Sequence, residues 1–127
     1  MTRVAGGGTP RDMADDILDR LQATIAERKG ADAGASYTAS LFHKGRARIA
    51  QKLGEEATET IIAAMGDNPH AIVPEAADLI YHLLVLLADA GLSLGDVRME
   101  LAKREGLGGL DEKAARTPAG LPLSFRP

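Results

Sequence analysis

The sequence predicts an all-α fold, a bundle of four to five helices built around a central antiparallel pair. Three observations predict it. Apolar residues recur at helical spacing, as in Met13, Ile17, Leu21 and Ile25. Aromatics are scarce, with two Tyr, two Phe and no Trp, so core volume must come from the aliphatic side chains that packed helices use. No stretch alternates apolar and polar residues over the length of a strand. At 127 residues the chain fits one domain with a modest core.

Residues 1–10 are Gly-rich and read as a mobile tail, 11–106 as the domain, and 107–127, with three Pro in TPAGLPLSFRP, as a C-terminal extension. DMADDILDRLQATIAERKG has acids early, bases late and a Gly stop, which predicts the first helix. ADAGASYTAS, residues 31–40, is small and polar and reads as a loop. A second helix runs from about Leu41 or Lys44 to Met65, where GDNP breaks it. Asn68 is placed to cap the next helix, with Pro69 at its first position. That third helix reaches about Ala90 and closes at Gly91; Pro74 either kinks it or begins it after a separate short turn. A fourth helix opens near Ser93–Asp96 and carries DVRMELAKRE until GLGG, and DEKAAR can add one further turn. The short connection predicts that helices two and three are antiparallel. LIYHLLVLL is apolar on nearly every side, so its helix needs partners all round. Homodimerisation is the simplest supply.

Composition excludes several classes. There is no Cys, so disulfide scaffolds, thiolate zinc sites and cysteine nucleophiles are ruled out, which fits a reducing cytoplasm. The net charge of −3 is more than accounted for by five acids, Glu55, Glu56, Glu59, Glu75 and Asp78. Nothing resembles the basic footprint of a nucleic-acid binder. MTRVAGGGTP lacks the apolar core of a secretory leader, and LIYHLLVLLADAG is too short and too acid-flanked to span a bilayer. The expectation is a cytoplasmic protein with no membrane or nucleic-acid partner.

The five acids sit on the two helices that must build the core. Ile49, Leu53, Glu56, Thr60 and Ala63 follow four-three spacing, so Glu56 falls on the packing stripe. Glu75, Asp78, Leu79, His82 and Leu86 share a face of the third helix. A carboxylate is almost never buried alone, because its desolvation is costly. Either the stripe ends at a solvated groove or the acids hold a hard cation. An all-oxygen donor set selects Mg²⁺ or Mn²⁺ over zinc or copper. On spacing alone the solvated face reads equally well, and the apolar stripe favours the cation. Lys44, Arg48 and Lys52 lie beside Glu55 and Glu59 along one side of the second helix. That side suits a polyphosphate bridged by metal, or simple pairing such as Lys52 with Glu56.

Glu55-Glu56-Ala-Thr-Glu59 followed by Glu75-Ala-Ala-Asp78 resembles the acid motif of the all-α nucleoside triphosphate pyrophosphatases. SYTASLFHKG, KLGEEATE and EAADLIYHLLVLL together resemble, more narrowly, the phosphoribosyl-ATP pyrophosphatase family of histidine biosynthesis, over roughly residues 12 to 104. The resemblance implies Mg²⁺-dependent hydrolysis of phosphoribosyl-ATP to phosphoribosyl-AMP and pyrophosphate by a homodimer. It implies metal ligands at Glu56, Glu59, Glu75 and Asp78, and a general base or water-orienting group at Glu55 or Glu59. It implies substrate contacts in Ser36–Gly45, with Ser36, Tyr37 and Thr38 foremost, and at Lys44 and Lys52. The fused cyclohydrolase domain of some members has no room here.

His82, one turn beyond Asp78, is either an outer partner of a ligand carboxylate or a core histidine satisfied inside the bundle. His43 can touch phosphate or stand exposed, His70 reads as exposed, and Tyr37 can meet the nucleotide or anchor its loop. Asp15, Asp16 and Asp19 read as the solvated face of helix one. Two rival functions remain at this point: a related pyrophosphatase for another nucleotide, and a non-catalytic helical dimer that serves as a binding module.

Overall fold

A computed structural model describes residues 10–105, with side chains from residue 17 onward. The 107–127 extension and the tail before Pro10 lie outside the described residues, as do the side chains of Met13, Asp15 and Asp16. Every regular element among the described residues is helical: α1 Pro10–Arg28, α2 Tyr37–Lys44, α3 Arg46–Ala64, α4 Ile72–Asp89 and α5 Leu94–Glu105. Short 3₁₀ turns occupy Ala33–Ala35 and Pro69–Ala71.

The pairing of α3 with α4 is the most extensive between any two elements. It is antiparallel, since Arg46 at the start of α3 pairs with Asp89 at the end of α4, Nε to Oδ2 at 2.6 Å. The Arg46 fork also donates to the Asp89 carbonyl at 3.3 Å, and Lys29 Nζ donates to the Ala88 carbonyl at 2.7 Å. Two cations thus sit on carbonyls of the last turn of α4, at the negative end of its dipole; that of Ala88 also accepts from Gly91 N–H at 3.0 Å. Gly91 follows at φ +76°, and Leu92 N–H returns to the Leu87 carbonyl at 2.8 Å, closing the helix as a glycine stop does.

Two predicted boundaries need correction. The stretch 31–40 is not all loop, and the second predicted helix is two. Ser36 accepts from Ala39 N–H and caps α2, which then buries Ala39 and Leu41. Burial of that face overrides the low apolar content that makes 31–40 look like a loop. Gly45 then breaks the chain at φ +97°, ψ 171°, a region open essentially to glycine, and α3 begins at Arg46. At the other boundary Asn68 caps as predicted, accepting from His70 N–H, with Pro69 first in its turn. Pro74 lies third in α4, where no intrahelical bond is lost, so it starts the helix and does not kink it.

The core is small. Ile25, Leu41, Ile49, Leu84 and Val85 are buried, with Leu21, Phe42, Tyr81, Leu86, Leu87, Ala88 and Leu94 packed around them. On α3 the predicted stripe holds: Ile49 is fully buried and Leu53, Glu56, Thr60 and Ala63 are half-buried. On α1 it holds from Leu21 to Ile25, while Ile17 is exposed. Within α5, Glu100 pairs with Lys103 and Arg104 at 3.7 and 3.4 Å.

Because the Pro69 turn runs into α4, the continuous helical stretch is longer than the apolar run read from sequence. Pro69–Asp89, 21 residues, is long and apolar enough by length and composition to cross a membrane. Its chemistry runs against that: Glu75 and Asp78 would enter hydrocarbon, and α3, which packs on it, carries Lys52, Glu55 and Glu56.

Candidate active site

The antiparallel register decides which acids meet. Glu56 is in the middle of α3, and Glu75 and Asp78 are in the first two turns of α4. One carboxylate oxygen from each lies within 4.8 Å of the other two. Glu56 and Glu75 are half-buried and Asp78 is exposed, so the group opens to solvent on one side. Ionised together at that spacing they repel by roughly 3 kcal/mol per pair at an effective dielectric of about 20. Lys52, its Nζ 3.8 Å from Glu56, offsets part of this. Glu59 is exposed on α3, outside the group of three, and makes no side-chain hydrogen bond or ion pair among the described residues.

Glu55 is held differently. Its carboxylate accepts from Lys52 Nζ at 3.1 Å and from Gln51 Nε2 at 3.0 Å, with Arg48 Nη1 at 3.9 Å. The Lys52 hydrogen bond, then that from Gln51, holds the Glu55 carboxyl below its ordinary 4.5. The same bond holds the Lys52 ammonium above its ordinary 10.5. For Glu55 the depressed folded value means the bridge is intact above about 4.5 and is lost only as pH falls through the lower value. For Lys52 the raised value means it is intact below 10.5 and lost only as pH rises through the higher value. The bridge therefore spans neutral pH. Lys52→Met should raise the Glu55 carboxyl toward its ordinary value, with Gln51 still holding it somewhat low, read by carbon NMR titration; an unchanged titration would mean Gln51 and Arg48 suffice without it.

The predicted substrate residues lie at the start of α2, over α4. Ser36 uses its oxygen as the cap. Tyr37 is 51% exposed, yet its hydroxyl bonds His82 Nε2 at 3.1 Å. Thr38 Oγ1 shares a short hydrogen bond with the Tyr81 hydroxyl. The rings of Tyr37 and Tyr81 stack at 6.3 Å, and Tyr81 meets His82 edge-on at 4.9 Å. Burial, only partly opposed by the nearby charge of Lys52, pushes the Tyr37 phenol up from 10.0, so it remains a protonated donor. Lys44 is exposed in the last turn of α2. His43 does not reach the acids: its Nε2 bonds the Ala31 carbonyl at 3.0 Å and fastens the preceding turn. His70 is exposed. Sequence reasoning passes over Tyr81 and Gln51. Tyr81 is findable as a neighbour of Asp78 at i+3, and Gln51 as the residue four before Glu55.

A cavity of about 430 Å³ between α1 and α4 is lined by Asp19, Gln22, Lys29, Leu84, Ala88 and Ser93 among others, and holds none of the three grouped acids. The grouped carboxylates stand instead where Asp78 is open to solvent.

A family model described as phosphoribosyl-ATP pyrophosphohydrolase matches residues 18–105. The chain belongs to the phosphoribosyl-ATP pyrophosphohydrolase family. It is 59% identical over 99 residues to the phosphoribosyl-ATP pyrophosphatase of Rhizorhabdus wittichii, covering 78% of this chain and 93% of that one. The protein of that name from Azospirillum brasilense is 56% identical over 109 residues, 82% of this chain and 98% of its own length. That from Rhodospirillum rubrum is 54% identical over 101 residues, 80% and 86% of the two chains. The family match takes in α2, α3 and α4, and so Glu56, Glu75 and Asp78.

Proposed function

We propose that the chain hydrolyses phosphoribosyl-ATP to phosphoribosyl-AMP and pyrophosphate, a step of histidine biosynthesis, at the groove between α3 and α4. The observation that carries this reading is the approach of Glu56, Glu75 and Asp78 within 4.8 Å, beside the Lys52–Glu55 bridge. An all-oxygen donor set that opens to solvent fits Mg²⁺, with Mn²⁺ as a substitute. Glu56, Glu75 and Asp78 would hold the ion, with Glu59 next along α3 as a fourth ligand. Bound there, a divalent cation supplies charge neutralisation for the triphosphate and acidifies water.

The chain's own residues do the rest. Lys52, Arg48 and Lys44 offer cations to phosphate oxygens. Ser36, Tyr37 and Thr38 receive the nucleoside part. Glu55 and Glu59 are the two candidates to orient and deprotonate water. Glu55 is engaged by Lys52 and Gln51 and held low, which makes it a weak base and a good anchor for Lys52. Glu59 is the freer carboxylate. Water adds to the α-phosphorus, the bond from that phosphorus to the bridging oxygen breaks, and pyrophosphate departs.

Only 17% of the most apolar 18-residue window of Pro69–Asp89 is buried within one copy, and Ile61, Ile62, Val73 and Ile80 on α3 and α4, with Met65 at the end of α3, stand exposed. A second copy supplies the cover. Sedimentation at micromolar concentration tests this, and a monomer would overturn it. For the activity, the test is pyrophosphate release with Mg²⁺ from phosphoribosyl-ATP, ATP and dUTP. Release from phosphoribosyl-ATP alone is expected. Release mainly from another triphosphate moves the chain to a related specificity, and no release from any leaves a binding module.

A further inference from the structure

His82 is the one buried polar residue among the described residues, 5% exposed, and the reaction outlined above gives it no task. One of its bonds places a ring hydrogen. Nδ1 lies 2.8 Å from the Asp78 backbone carbonyl, which can only accept, so Nδ1 carries the hydrogen. Nε2 of the neutral ring is then a bare acceptor, and the Tyr37 hydroxyl, 3.1 Å away, donates to it. One residue before, Tyr81 bonds Thr38 and closes edge-on over the His82 ring. The first two residues of α2 are thereby fastened to two consecutive residues of α4, one turn beyond Asp78.

We propose that His82 is a positioning residue for the reaction: it holds the Tyr37 end of α2 in register with the carboxylate-bearing turns of α4. The nucleotide-facing start of α2 and the acids that face the phosphates then form one pre-set surface. Among the described residues the bond to His82 is the one that ties the Tyr37 hydroxyl to α4; beside it the ring has only its stacking on Tyr81 and its edge contact with His82, and Tyr37 is 51% exposed. The placement of substrate depends on it; the burial of Leu84 and Val85 does not. This inference rests on the phosphoribosyl-ATP reading.

The test is steady-state kinetics of pyrophosphate release for Tyr37→Phe, His82→Leu, the double variant and His82→Gln, each below its own melting temperature. Tyr37→Phe and His82→Leu should each raise KM roughly tenfold, what one lost hydrogen bond is worth, with kcat within about twofold of native. Because both remove the same bond, the double variant should lose no more than either single one. His82→Gln keeps an acceptor where Nε2 stood and should stay within about threefold of native. Should His82→Leu fold poorly, Tyr37→Phe and His82→Gln still decide. Unchanged KM in Tyr37→Phe overturns the inference. So do losses that multiply in the double variant, since each side chain would then act by itself. A purely structural role would lower melting temperature and leave KM alone. A native chain that releases no pyrophosphate fails the activity reading and takes this one with it; an active native chain with indifferent His82 variants fails this one only.

Discussion

Glu56→Gln is expected to cut pyrophosphate release by more than about 100-fold, beyond what losing an outer partner of a metal ligand costs. Millimolar Mg²⁺ is expected to raise the melting temperature of the native chain, and the same change should remove that rise. A ligand present at about 100 times its Kd stabilises by roughly 2.7 kcal/mol, and a site lacking its central carboxylate loses that gain. Glu56 is the carboxylate that α3 contributes to a group whose other two members, Glu75 and Asp78, stand on α4. Without it, Glu75 and Asp78 remain as neighbours on a single helix face. The metal-free variant should melt no lower than the native chain. Removing one of three crowded negative charges relieves repulsion worth roughly 3 kcal/mol per pair, against the loss of one partner for Lys52. Thermal melts with and without Mg²⁺, alongside the release assay, check both halves. A variant that still releases pyrophosphate, or that still responds to Mg²⁺, would remove Glu56 from the site.

Ile49→Ala is expected to destabilise the fold by about 2–5 kcal/mol, the range for emptying a buried aliphatic site. Ile49 is fully buried where α2, α3 and α4 meet, and it is one of only four large side chains buried completely among the described residues. With so small a core, loss of one member is a large share of a stability that for such domains is roughly 5–15 kcal/mol in all. Urea unfolding reads it as a lower midpoint at unchanged slope. Exposed Ile61→Ala, on the same helix, should leave the stability of a single copy nearly unmoved. Equal effects at the two positions would mean that the α3–α4 packing described above is not what holds the chain together.

Several features of this protein are legible in the sequence alone. The all-helical class follows from spacing, and so do the Asn68 cap, the Pro69 start and the Gly91 stop, because each depends on neighbours within one turn. The packing stripe through Ile49, Leu53 and Glu56 is legible for the same reason: helical periodicity places a residue on a face without knowing what the face meets. The acid motifs are therefore recognisable, and with them the family.

Other features depend on partners far away in sequence. The start of α2 reads as a loop, since Ser36 through Ser40 carry little apolar signal; the helix forms because Ala39 and Leu41 find the core that α3 and α4 create. Spacing offers Glu59 and Glu56 alike, and only the packing of α4 against α3 brings Glu56 within 4.8 Å of Glu75 and Asp78. Glu55 looks equivalent to its neighbours until Lys52 and Gln51 are placed on its oxygens. His82 has two readings in the sequence, and the fold brings Tyr37, 45 residues earlier, onto its Nε2. Sequence by itself determined which residue types occupy which faces, since that is local geometry. Tertiary structure decided which faces meet, because a carboxylate's or an imidazole's chemistry is set by groups that only folding brings within a hydrogen bond's length.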